Sequence, residues 1–211
     1  MEGKMKDKKT ATNPFYTIMH PFDCSYDIRF KNKGNVWFSV VILLIFFLVS
    51  IFQRQSTGYI FNNNKLSDLN TPLKFVGVVL PFSLFVVSNW VVSILFNGTG
   101  RFRDIWIYSA YCCVPYMIGT FAAVLFSNIL VMEEPFGEYV RIFGAAWSLV
   151  ILFIGLMVMH EYGFTKNVFG CLCTIFIMFI MFFLIMLVGS LASDLYGFVM
   201  TIAKEIMFRV S

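Results

Sequence analysis

The chain has 211 residues, of which 59% are hydrophobic and 13% charged, with a net charge of +4. Soluble domains carry about 25% charged residues, so a water-exposed globule of this composition would lack the polar surface it needs. A soluble enzyme, a nucleic-acid binder and a secreted disulfide scaffold are excluded, and the chain reads as a polytopic membrane protein.

Residues 1–12, with Lys4, Lys6, Lys8 and Lys9, form a lysine-rich tail suited to anionic headgroups. From Asn13 to Phe30, the residues Phe15, Ile18, Met19 and Phe22 fall at helical spacing. That spacing predicts a short amphipathic segment in the membrane interface, broken at Pro21; an irregular lead-in to the first span is the other reading. Five charge-free runs follow, at 34–53, 75–100, 105–132, 142–159 and 167–193. A spanning helix needs about 17–25 apolar residues. The predicted spans are Val36–Phe52, Phe75–Phe96, Ile105–Asn128, Ile142–Met159 and Val168–Leu191. None alternates polar and apolar residues as a barrel strand does, and hydrocarbon leaves only helices or closed barrels as spanning structures. The expected fold class is all-α: a polytopic membrane helical bundle of five transmembrane helices with interfacial N- and C-terminal segments. It divides into a tail and amphipathic segment (1–33), a five-span membrane domain (34–193) and a C-terminal interfacial segment (194–211).

Several local features refine this. The first run begins only at Val36 and has no small-residue cleavage site after it, so it is read as a signal anchor. In the loop 53–74, Tyr59-Ile60-Phe61 beside Asn62-Asn63-Asn64 suggests a dip into the headgroups. Ser83, Ser88, Asn89 and Ser93 dot the second span, where an Asn in hydrocarbon seeks a partner on another helix. Pro81 and Pro115 each remove a helical hydrogen bond and should bend the second and third spans. Gly119 and Ala123 form a small-xxx-small pair that permits close helix approach. The fourth run is the shortest and is interrupted by Gly144 and Gly155, so a re-entrant or tilted segment is an alternative there. After Ser193, Leu195, Phe198, Val199, Ile202 and Ile206 share a face. Either Ser193 caps a new interfacial helix or the fifth helix runs on.

Ten Lys and Arg fall on the N-terminal side of the spans and six on the other, which predicts a cytoplasmic N-terminus and, after five crossings, a C-terminus outside. Cys24 is then cytoplasmic and Cys112, Cys113, Cys171 and Cys173 lie within spans, so no structural disulfide is implied. The same orientation discounts the glycosylation sequon Asn97-Gly98-Thr99.

Chemistry is sparse. The predicted spans hold no ionisable residue, which removes the usual hardware of proton relays, ion-driven transport and voltage sensing. His160 and Glu161 adjoin at one end of the fourth span, but His20 is the only other histidine, so interfacial anchoring is expected rather than metal binding. No catalytic constellation, cofactor motif or metal site is read from the sequence.

The most distinctive stretch is Asn97–Pro115, NGTGRFRDIWIYSAYCCVP. Gly98 and Gly100 suit a tight turn between two spans, Arg101 and Arg103 suit anionic headgroups, and Tyr111 precedes Pro115 by one helical turn. This stretch resembles the central motif of the Yip-domain family, named for binding Ypt/Rab GTPases, whose members have a cytoplasmic N-terminus and five spans. Asn13-Pro14-Phe15-Tyr16, His20-Pro21-Phe22 and Asn89-Trp90 resemble its bacterial branch. The resemblance covers roughly residues 13–209 and marks Asn89, Trp90, Gly98, Gly100, Arg101, Arg103, Tyr111 and Pro115 as family-motif positions. Eukaryotic members carry an Asp-Leu-Tyr-Gly-Pro motif before the first span. Here Asp194-Leu195-Tyr196-Gly197 follows the last span and is succeeded by Phe198, so GTPase binding is not carried over. Bacterial relatives occur alongside carbohydrate-uptake systems, which implies an accessory role in sugar import.

Three functions are therefore weighed. The first is a non-enzymatic accessory or scaffold protein of a bacterial cytoplasmic membrane, partnering an ABC permease. The second is a small homo-oligomeric transporter or channel with Ser88, Asn89 and Ser93 along its path. The third is a lipid- or curvature-sensing membrane shaper. The bilayer is the common partner, and nucleic acid is not one.

Overall fold

The computed structural model describes residues 14–56, 70–128 and 136–210. The lysine-rich tail and the Tyr59-Ile60-Phe61 loop lie outside the described residues. The helices are α1 (Pro14–Met19), α2 (Pro21–Phe30), α3 (Val36–Ser56), α4 (Thr71–Leu95), α5 (Phe102–Cys112), α6 (Val114–Ser127), α7 (Phe136–His160) and α8 (Phe164–Val210), with no strand among the described residues. Counting α5 and α6 together, five of these units are long and apolar enough to cross a membrane.

Proline sets the breaks. Pro14 and Pro21 each occupy the first position of a helix, where the missing N–H is no loss. The third span is two helices. Pro115 cannot donate to Tyr111, and its ring crowds that carbonyl, so the helix ends at Cys112 and restarts at Val114. Pro81 sits inside α4 without interrupting it.

Small residues set the closest approach. A Cβ on Gly144 would stand 2.9 Å from the Pro115 carbonyl oxygen and 3.2 Å from the Gly119 Cα; one on Gly137 would stand 3.2 Å from the Ala123 carbonyl oxygen. The pair expected at Gly119 and Ala123 thus meets glycines of α7. The fourth span is one continuous helix of 25 residues. Its glycines are points of contact, since Gly155 lies against the ring of Tyr108, whose hydroxyl donates to the Ile151 carbonyl at 2.9 Å.

The N-terminal helices belong to the bundle. Cys24 and Ile28 of α2 are fully buried with Ile42, Ile107, Tyr111 and Ile151, while Phe15, Met19 and Phe22 remain exposed. Of the amphipathic face expected at Phe15, Ile18, Met19 and Phe22, three residues are therefore turned outward while Ile18 packs against the core.

α8 runs through Ser193 as a single helix of 47 residues, the second of the two readings of that segment. At about 1.5 Å per residue it is roughly 70 Å long, over twice the hydrocarbon thickness of about 30 Å. From Phe182 to Arg209 every residue is exposed.

Candidate functional site: the face where three turns meet

α1 and α2, the lead-in 31–35, the α4–α5 turn and the α7–α8 turn converge at one end of the bundle. The α4–α5 turn is left-handed at Asn97, with φ of 53°, and no glycine among the described residues has positive φ. The expectation that Gly98 and Gly100 supply conformational freedom is corrected: they supply space. A Cβ on Gly100 would lie 2.5 Å from Cε1 of His160, and one on Gly98 would collide with the Tyr162 hydroxyl. The His160 and Tyr162 rings stack, with centroids 5.1 Å apart, and the glycine turn lies across them.

Beneath the turn runs a chain of hydrogen bonds. His160 Nε2 and Asn89 Oδ1 are 2.9 Å apart, Asn89 Nδ2 donates to Thr174 Oγ1 at 3.2 Å, and Thr174 Oγ1 donates to the Gly170 carbonyl at 2.8 Å. Since the Asn89 amide nitrogen faces Thr174, its oxygen must accept, so His160 Nε2 carries the proton. His160, Asn89 and Thr174 are all buried, and they tie α4, α7 and α8 together. The expected anchoring role of His160 at the surface is thus overturned: the residue is 3% exposed. Ser88 donates to Met181 Sδ at 3.5 Å and Ser93 to the Trp90 carbonyl at 2.6 Å, so the polar residues of the second span face a packed seam.

Charge fastens the N-terminal helices onto this end. Arg29 of α2 pairs with Asp104 of α5 at 3.5 Å, with side chains 11% and 4% exposed, and also donates to the Thr99 carbonyl. The Thr99 hydroxyl donates to the Glu161 carboxylate at 3.0 Å. Arg101 donates to the Asn32 side chain at 3.2 Å, and Arg103 to the Gly34 carbonyl at 3.1 Å. Asp27 receives Lys31 at 2.7 Å and Lys33 at 3.1 Å. Burial would raise the Asp27 carboxyl, but the two ammoniums outweigh it and hold the group below the usual carboxylate range. Burial on the inner side of α2 pushes the Cys24 thiol up to about 11.

Six of the eight motif positions therefore gather at or just beneath this face: Asn89, Gly98, Gly100, Arg101, Arg103 and Trp90, which stands edge-on to Phe102 at 6.0 Å. Tyr111 and Pro115 lie deeper, Tyr111 in the core beside α2 and Pro115 at the start of α6. Sequence reasoning missed Arg29, Asp104, Tyr162 and Thr174 as site residues and gave His160 only an anchoring role. Asp104 adjoins the motif's own Arg103, and that adjacency was the one available signal. Among the described residues no group of three His, Cys, Asp or Glu is placed to hold a metal ion.

Five span-length apolar units, tied at one end by bonds among the chain's own segments, define a multi-pass integral membrane protein. Residues 15–188 match the Yip1 domain, and the chain belongs to the Yip1 domain family. No curated protein and no solved structure matches it.

Proposed function

We propose that this protein is a non-enzymatic membrane scaffold whose three-turn face docks a partner membrane protein. One observation carries the reading: the polar side chains of that face are engaged in holding α1–α2 and the two turns in one shape. Such a preorganised surface suits recognition, because little order remains to be imposed on binding. Ser88, Asn89 and Ser93 close a helix seam, which favours packing over a solute path. With the positive-inside bias of the sequence, the face lies on the cytoplasmic side of a bacterial cytoplasmic membrane, with the C-terminus outside. The partner is a transporter permease of the carbohydrate-uptake class, as the family resemblance implies.

Co-purification tests this. A tagged copy crosslinked in native membranes should recover permease subunits in stoichiometric amount, and Arg101→Glu with Arg103→Glu should release them. Recovery of copies of the chain alone, together with solute flux in liposomes containing only this protein, would contradict it in favour of a homo-oligomeric channel.

A further inference from the structure

The break at Cys113 leaves space in the middle of the bundle. A cavity of about 440 Å³ lies between α4 and α7, with the α5–α6 junction as its floor. Ser109, Cys113 and Tyr116 form that floor; Gly77, Pro81 and Phe85 form one wall, and Ala145, Leu149 and Leu152 the other. The volume falls within the range of about 300–1,000 Å³ usual for small-molecule sites. Its lining is almost wholly apolar, and its rim residues Gly77, Pro81 and Leu149 are exposed on the outer surface of the bundle.

Position decides the occupant. Gly77 is the seventh residue of α4, and Ser109 the eighth of α5, which starts at the opposite end of the bundle. At about 1.5 Å per residue both lie roughly 10 Å inside their helix ends, so the mouth opens at the level of lipid tails. Water would find too few polar partners there to stay, and an empty void of this size forfeits the dispersion contacts of its whole lining. Gly77 contributes the space directly, because a Cβ built on it meets nothing within 4 Å. Ser109 is 4% exposed, and its hydroxyl has no hydrogen-bond partner among the described residues. With only the hydroxyls of Ser109, Tyr116 and Ser148 in an otherwise apolar lining, the cleft suits a flexible hydrocarbon chain better than a ligand rich in polar groups.

We propose that this cleft is a binding site for one acyl chain of a membrane phospholipid, held between α4 and α7 against the Pro115 break. The chain enters sideways from the bilayer, so binding needs no opening of the bundle. This site is independent of the three-turn face.

The test uses the full-length protein in nanodiscs with a phosphatidylethanolamine that carries a diazirine in one acyl chain. Illumination and peptide mapping should give labelling at Cys113–Tyr116 and Ala145–Leu152 that saturates near one lipid per chain. Labelling of the exposed α8 surface should not saturate. Gly77→Phe fills the cleft and should lower the cleft labelling at least fivefold with α8 labelling unchanged; Ala145→Leu should act alike from the other wall. If either variant fails to fold, competition on the wild type replaces it: excess unlabelled phospholipid should suppress cleft labelling before α8 labelling. Cleft labelling that tracks α8 labelling throughout would overturn the proposal, as would recovery of a quinone or a peptide from the cleft in place of phospholipid.

Discussion

Two residues carry much of the candidate face. Gly100 has no room for a methyl group, because His160 occupies the place, so Gly100→Ala should destabilise the protein by about 1–3 kcal/mol, as overpacking does. Thermal unfolding in detergent would show this as a lowered Tm. Gly163→Ala serves as the comparison, because a Cβ there meets nothing within 4 Å. Asn89→Ala strands the His160 Nε2 proton and one acceptor site on Thr174, and should lower stability by about 1–3 kcal/mol, the penalty for unsatisfied buried groups. At this scale the sequence was half legible. It pointed to Asn89 as a bond between helices, but its partner His160 lies 71 residues away, a pairing no local pattern reveals. Gly98 and Gly100 were given the wrong physical role, because steric exclusion by a distant ring leaves no local trace.

Among the elements, α2 shows how a short helix is held. Its C-terminal end rests on Asp27, which takes both lysines of the lead-in and also accepts the backbone N–H of Lys31 and Lys33. Because the folded Asp27 carboxyl is depressed, its stabilising contribution is complete above the unfolded value of about 4 and is lost as pH falls through the lower folded value. Amide exchange protection at Lys31 and Lys33 should hold at pH 5 and be lost only as pH falls below the unfolded carboxylate value of about 4, after correction for the intrinsic exchange rate. Asp27→Asn should abolish that protection already at pH 5. The helices themselves were readable from apolar runs, since hydrocarbon permits little else. Their ends were not. α8 starts at Phe164 and runs to Val210, well past the predicted span of Val168–Leu191, because Asp194 and Lys204 interrupt hydropathy without interrupting a helix. The break at Cys113 was signalled by Pro115, although only packing shows that it opens a cleft.

For the molecule as a whole, the central claim is that α1–α2 are a docked part of the bundle, fastened by the Arg29–Asp104 pair, and that this docking shapes the face. Composition located the chain in a membrane, yet it counted Arg29 only as a topology charge and gave Asp104 no role. Their pairing across 75 positions of sequence depends on the tertiary fold. Removing one member of a buried pair leaves the other uncompensated and typically costs about 3–5 kcal/mol, enough to release two short helices. The same geometry makes Cys24 a reporter, since it is fully buried and its thiol sits at about 11, while maleimides react with the thiolate. The decisive measurement is the rate of Cys24 labelling by a maleimide at pH 7.5 in native membranes, with Cys24→Ser as the blank. The wild type should label slowly, and Arg29→Ala and Asp104→Ala should each label at least tenfold faster. Equal, rapid labelling of all three proteins would contradict the docked arrangement and the scaffold reading that rests on it.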